Sequence, residues 1–199
     1  MDIKFLQCHE TNYTKSNRVS SDITTIVIHY TGNRNDKAVN NCKYFQAPNR
    51  KASAHYFVDE NEVWQSVEDK DISWNASVWE INQHCIGIEM CNSVDSVPQA
   101  VKDNVRELVQ ILMKKYPTIK KVIRHYDCNG KQCPLPLIDN KKWEEFKAYI
   151  LAPKQDETYL KAVDKLIKKG IISSGDLWKN DTFSKDNVHS LIIKMASKM

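Results

Sequence analysis

Ile23-Thr24-Thr25-Ile26-Val27-Ile28-His29-Tyr30, residues 23–30, is a near-continuous run of β-branched residues. Such a run is the pattern of a central strand covered on both faces, and this one ends at a histidine. Working outward, Ser53 to Val58 and Glu62 to Val67 flank Asp59-Glu60-Asn61 and predict a hairpin. Ile86 to Met90 and Val122 to Arg124 are further short strands. Between them lie helical spacings: Asp36 to Phe45, Val101 to Lys115 (Val105, Leu108, Val109, Leu112 and Met113 on one stripe), and Trp143 to Ile150. Strands interleaved with helices predict an α/β fold, a single mixed β-sheet flanked by helices.

A polar, proline-bearing joint, Ala152-Pro153-Lys154-Gln155-Asp156, divides the chain. Residues 1–152 are read as the main domain and 153–199 as a small all-helical module. In the module, Leu160, Val163, Leu166 and Ile167 form a stripe ending at Gly170. The turn Ser173-Ser174-Gly175-Asp176 precedes Leu177-Trp178, and Val188, Leu191, Ile192 and Met195 mark a last helix. A unit this short falls below the ~70 residues at which one core is comfortably stable. It is expected to lean on the main domain or on a second copy.

Among the 199 residues, 41% are apolar and 27% charged, ordinary values for a folded soluble chain. The net charge of +4 provides no basic stripe, which argues against nucleic acid as a partner. The segment from Pro153 on carries nine Lys and six acidic residues and so holds most of the excess. No stretch reaches the ~20 apolar residues of a membrane span, so no membrane partner is expected. The start, Met1-Asp2-Ile3-Lys4-Phe5-Leu6, lacks the apolar run of a signal peptide, which predicts synthesis in the cytoplasm. Cys8, Cys42, Cys85, Cys91, Cys128 and Cys133 lack the dense spacing of a disulfide scaffold, so most are read as reduced, buried small residues.

The strongest local signal for chemistry is Val122 through Pro134, where a strand delivers His125 and a short polar loop returns Cys133. Imidazole and thiolate are ligands that zinc prefers. His29 at the end of the central strand offers a third, and three protein ligands leave the fourth position of a catalytic zinc open. Cys128 could also ligate, but a structural knuckle of His125, Cys128 and Cys133 needs a fourth ligand that the loop does not offer. In the strand Ile86 to Met90, alternation puts Ile86, Ile88 and Met90 on one face and Gly87, Glu89 and Cys91 on the other. Lys131 precedes Cys133 by two, which in an extended loop sets both on one side. Trp64, Trp74 and Trp79 suit either core or groove, and pattern alone favours the core for each.

Ile26-Val27-Ile28-His29-Tyr30-Thr31-Gly32-Asn33, Ala52-Ser53-Ala54-His55-Tyr56-Phe57-Val58-Asp59, Ile86-Gly87-Ile88-Glu89-Met90-Cys91 and Arg124-His125-Tyr126-Asp127 with Lys131-Gln132-Cys133-Pro134 form four blocks in order. Together they resemble the zinc-dependent N-acetylmuramoyl-L-alanine amidases related to peptidoglycan recognition proteins. The likeness is strongest to Firmicutes (clostridial) phage and prophage endolysins and autolysins, and it covers residues 20 to about 150. It implies Zn2+ held by His29, His125 and Cys133, with Glu89 and Lys131 catalytic. It also implies a substrate cleft that His55, Trp74 and Asn75 help to line. Relatives often have Trp-His-Ala where this chain has Trp74-Asn75-Ala76, which removes any histidine-dependent role there.

The implied activity is hydrolysis of the amide between N-acetylmuramic acid and L-alanine in bacterial peptidoglycan. The implied place of action is the cell wall, reached after holin-type release or lysis. The module 153–199 resembles helical segments that follow such amidases, and is expected to bind the wall or to form a homodimer. A non-catalytic peptidoglycan-binding module of the same fold is the alternative, and Cys133 argues against it, because non-cutting members typically lack the cysteine ligand. A zinc peptidase acting within the stem peptide is disfavoured because no His-Glu-x-x-His helix is present.

Overall fold

A computed structural model describes residues 1–152, 157–179 and 182–197. In chain order the elements are β1 (Ile3–Phe5), β2 (Tyr13–Thr14), β3 (Thr25–Tyr30), α1 (Ala38–Phe45), β4 (Tyr56–Val58), β5 (Val63–Gln65), β6 (Ile72–Ser73), α2 (Trp79–His84) and β7 (Cys85–Met90). They continue with α3 (Gln99–Lys115), β8 (Lys121–Arg124), α4 (His125–Asn129), α5 (Asn140–Leu151), α6 (Glu157–Lys168), α7 (Gly175–Lys179) and α8 (Lys185–Ala196). The chain divides into two compact units, Met1–Pro153 and Lys154–Met199. Among the described residues, no helix is long and apolar enough to cross a membrane.

The first unit is built on a six-stranded mixed sheet in the order β1-β5-β4-β7-β3-β8. Every neighbouring pair is parallel except the β4–β5 hairpin. That hairpin turns at Asp59, whose Oδ1 accepts the backbone N–H groups of Asn61 and Glu62, both at 2.7 Å. β2 and β6 pair separately as a small antiparallel ribbon.

As the run 23–30 predicts, β3 lies inside the sheet, between β7 and β8, with Ile26, Val27 and Ile28 fully buried. Ile26, Ile28, Ile86, Ile88 and Met90 join Val101, Val105, Leu108 and Leu112 of α3, and Trp143, Phe146 and Ile150 of α5, in the main core. Burying each such side chain contributes about 1.5–3 kcal/mol, which makes this face the chief source of stability. On the other face, Phe57 and Cys91 pack with Ala38 and Cys42 of α1 in a smaller cluster. Alternation puts His29, Gly87 and Glu89 on that second face, so the helix-covered core and the chemistry are carried by opposite sides of the same strands.

Several expectations need correction. The predicted strand Ser53 to Val58 begins only at Tyr56. β1, β2, β6, α2 and α4 were not predicted; each has six residues or fewer, too short for a period to show, and β1, β2 and β6 pair with strands distant in sequence. Trp79, expected in the core, opens α2 with 46% of its surface exposed. Six cysteines are free, and Cys128 alone among them is not fully buried. The expected joint at 152–156 lies outside the described residues from Pro153 on.

In the second unit, Val163, Ile171, Ile172 and Trp178 form a small core, with Leu166, Ile167, Val188 and Leu191 packed against it. Ile192 and Met195, expected on the buried stripe of α8, are 59% and 42% exposed. The small core engages α8 through Val188 and Leu191, and that contact is too narrow to cover the rest of the stripe.

Candidate metal centre

Three strand ends assemble the site. β3 delivers His29, and its register against β7 sets His29 opposite Glu89. β8 runs parallel to the other edge of β3 and passes directly into α4, whose first residue is His125. The segment after β8 is therefore a helical turn and not the polar loop expected from sequence. Asp127 favours it by accepting the Arg124 N–H at 2.8 Å, an acidic side chain closing a helix start. Gly130, at φ +79°, ends the turn in the left-handed conformation that glycine adopts without strain.

The return of Cys133 is fixed by two features. The Tyr126 N–H donates to the Cys133 carbonyl at 2.8 Å and closes the loop. Arg124, only 4% exposed, donates to the carbonyls of Leu137 and Ile138, both at 2.9 Å, and pairs with Asp127 at 2.7 Å. This clamp was not recognised from sequence; the signal was an arginine with an aspartate three residues later, directly beside the candidate ligand.

His29, His125 and Cys133 are all buried, and their ligand atoms lie within 4.8 Å of one another. His29 Nδ1 is 3.1 Å from His125 Nδ1 and 3.8 Å from Cys133 Sγ. Burial pushes the His29 pKa down to about 3 and that of His125 to about 4, with Lys131 adding to both, so both rings are neutral at neutral pH. Burial, with the charge of Glu89, raises the Cys133 thiol to about 12. A metal cation would reverse that preference, because a coordinated thiol is deprotonated. Two neutral imidazoles and a thiol converging on one point form a group that could hold a metal ion.

Beside them opens a cleft of about 390 Å³, lined by the three candidate ligands together with Glu89, Lys131, Trp74 and Asn75. Glu89 Oε2 is enclosed and has no hydrogen-bond partner among the described residues. Burial pushes the Glu89 pKa up to about 7, against a lowering influence of Lys131. Lys131 is exposed on the cleft wall. Its backbone is not extended toward Cys133 as expected: the Cys133 N–H donates to the Lys131 carbonyl at 2.7 Å in a tight turn. Trp74 does line the cleft, its Nε1–H held by Thr14 Oγ1 at 2.9 Å.

His55 is a correction. It has no exposed surface and is not part of the cleft wall. Its Nδ1 meets Ser73 Oγ at 2.8 Å and the Gly87 N–H at 3.0 Å, and its Nε2 lies 2.8 Å from Arg18 Nη2. Burial, with the Arg18 charge, lowers its pKa to about 3. The segment 53–55 tucks under the β7 backbone, His55 N–H donating to the Gly87 carbonyl at 3.1 Å, so the ring is enclosed by protein and not by substrate space. Asn75 borders the cleft, but its amide is engaged inward, on His29 and Ser73.

A family model described as N-acetylmuramoyl-L-alanine amidase matches residues 19–136. The chain belongs to that family. The amidase match contains all three candidate ligands, Glu89 and Lys131, and stops before α5 and the C-terminal unit. The N-acetylmuramoyl-L-alanine amidase CwlL of Bacillus licheniformis is 30% identical over 81% of this chain and 46% of its own length. The N-acetylmuramoyl-L-alanine amidase XlyA of Bacillus subtilis is 30% identical over 63% of this chain and 43% of its own. This amidase-family chain thus spans less than half the length of these two relatives. The solved catalytic domain of XlyA superposes with a TM-score of 0.65 at 27% identity, covering 75% of this chain and 99% of that domain.

Proposed function

We propose that this chain is a zinc-dependent N-acetylmuramoyl-L-alanine amidase, which hydrolyses the amide joining N-acetylmuramic acid to the L-alanine of the stem peptide in bacterial peptidoglycan. The observation that carries the reading is the convergence of His29, His125 and Cys133 beside the unpartnered carboxyl oxygen of Glu89 in one cleft. The donor set suits zinc. Zn–N bonds of about 2.0–2.1 Å and a Zn–S bond of about 2.3 Å put tetrahedral donor atoms about 3.3–3.6 Å apart. The two distances from His29 Nδ1, 3.1 and 3.8 Å, lie on either side of that range, and all three donor atoms fall within 4.8 Å of one another. When bound, zinc supplies Lewis acidity, which acidifies water and polarises a carbonyl oxygen.

The chain's own residues do the rest. Glu89, with a pKa near 7, is poised to take a proton from water and to return it to the departing amine of L-alanine. The Lys131 ammonium on the cleft wall offers positive charge to the carbonyl oxygen as negative charge develops there. Trp74, its ring fixed through Thr14, offers a flat apolar surface to the substrate. Action on the cell wall after holin-type release or lysis follows from this reading. The C-terminal unit would anchor the enzyme to the wall or pair it with a second copy, a role favoured by its excess of lysine and the exposed Ile192 and Ile193.

Digestion of purified Gram-positive peptidoglycan tests the proposal. Release of new amino-terminal alanine without new reducing sugar ends is expected. Reducing ends without amino termini would indicate a glycosidase, and binding with neither product a non-cutting recognition module.

A further inference from the structure

Asn75 stands on the loop after β6, and both ends of its amide are engaged. Its Oδ1 lies 2.9 Å from His29 Nε2, while its Nδ2 donates to Ser73 Oγ at 2.8 Å and faces the Ser73 carbonyl at 3.4 Å. Those partners fix which amide atom is which. Turning the group over would set its oxygen against a carbonyl oxygen. With Oδ1 facing His29, Nε2 of that ring must carry the proton, which leaves the Nδ1 lone pair directed at His125 Nδ1 and Cys133 Sγ.

The loop itself is held. Asn82 Oδ1, from α2, accepts the backbone N–H of Asn75 at 3.2 Å and of Ala76 at 2.8 Å. Ser73 Oγ continues the chain to His55 Nδ1 at 2.8 Å. Gly87 supplies the space: a Cβ there would lie 2.6 Å from Asn75 Cγ, so the bare β7 backbone lets the amide reach His29.

We propose that Asn75 is a positioning residue: it selects the Nε2–H tautomer of His29 and thereby presents Nδ1 as a metal donor, with Ser73 and His55 holding the amide in place. This inference rests on the metal-hydrolase reading, but not on wall cleavage. It also assigns a use to the buried His55, which the proposed mechanism does not employ. Outer partners of ligating histidines commonly set ring orientation in this way, and their loss typically costs 10–100-fold in metal affinity.

The test uses the full chain and zinc alone. Nitrogen-15 NMR of the metal-free protein should show His29 as the single Nε2–H form. In Asn75→Ala that signature should become a mixture, and the zinc Kd, from competition with a chelator, should weaken by about 10–100-fold. Asn75→Asp keeps the acceptor toward His29 Nε2, although its second oxygen now faces the Ser73 carbonyl, and should restore the single Nε2–H form. Should Asn75→Ala not fold, Gly87→Ala displaces the amide from the β7 side and should weaken zinc binding likewise. Unchanged zinc affinity and an unchanged tautomer in the alanine variant, or failure of Asn75→Asp to restore the Nε2–H form, would overturn the proposal. A wild-type protein that binds zinc yet releases no alanine would remove the amidase reading and leave this inference intact.

Discussion

Asp69, buried in the first unit, and Glu89, on the wall of its cleft, are both desolvated carboxylates, and their pKa values move in opposite directions. Asp69 lies among side chains of the main core. Its Oδ1 accepts from Tyr56 at 2.6 Å and Gln65 at 3.0 Å, and its Oδ2 from Lys115 and Tyr116, both at 2.8 Å. Burial alone would raise its pKa, but the hydrogen bonds from Lys115, Tyr56 and Tyr116 outweigh it and leave Asp69 below the usual carboxylate range. Glu89, on the other face of the sheet, has an oxygen without a partner among the described residues, and burial pushes its pKa up to about 7. Desolvation that raises the pKa of both carboxylates is overcome where donors are supplied and prevails where they are withheld, leaving a fixed charge in one place and a proton carrier in the other. Stability is concentrated on the side of α3 and α5, and chemistry on the side that those helices leave free.

If that contrast is correct, substitutions on the two faces should separate rate from stability. The largest effect is expected for Glu89→Gln, which keeps shape but removes the proton carrier. Wall digestion should fall by at least about 10²–10⁴-fold, while melting temperature and zinc content measured on the same sample stay near wild type. Near-normal turnover with zinc bound would remove Glu89 from the mechanism.

On the core face, Ile88→Ala deletes a fully buried side chain one residue before Glu89. Chemical denaturation should show a loss of about 2–5 kcal/mol, with turnover per folded molecule retained. A loss of rate without a loss of stability would mean that the faces are not independent.

A smaller effect is expected at Asp69. Its folded pKa lies below its unfolded one, so its contribution is complete above the unfolded value near 4 and is lost as pH falls through the folded value. Asp69→Asn should cost about 1–3 kcal/mol at pH 7 and flatten the acid limb of the stability curve. An acid limb unchanged in the variant would assign the acid dependence to other groups.

The division between faces also explains what could be read from sequence. β3, β7, β8 and the β4–β5 hairpin were legible because their alternation or continuous apolar character is local. His29 and Glu89 were legible because each occupies such a strand and His125 because it directly follows one, while Cys133 was legible from the short segment that returns it. His55 was misjudged as lining the cleft, since its partner Arg18 lies 37 residues away, and the engagement of Asn75 with His29, 46 residues away, was not read from sequence. Arg124 was read only as the end of a strand; its clamp on residues 137 and 138 depends on where the chain returns. Ile192 and Met195 fit a helical period, but period does not say how wide a stripe a small core can cover.

Zinc titration of the metal-free full chain, with release of amino-terminal alanine from purified wall followed at each addition, tests the central claim most directly. The account predicts no release before zinc is added and a rise that saturates at one zinc per chain. Full activity in the metal-free protein, or saturation only at two ions per chain, would contradict a single centre built from His29, His125 and Cys133.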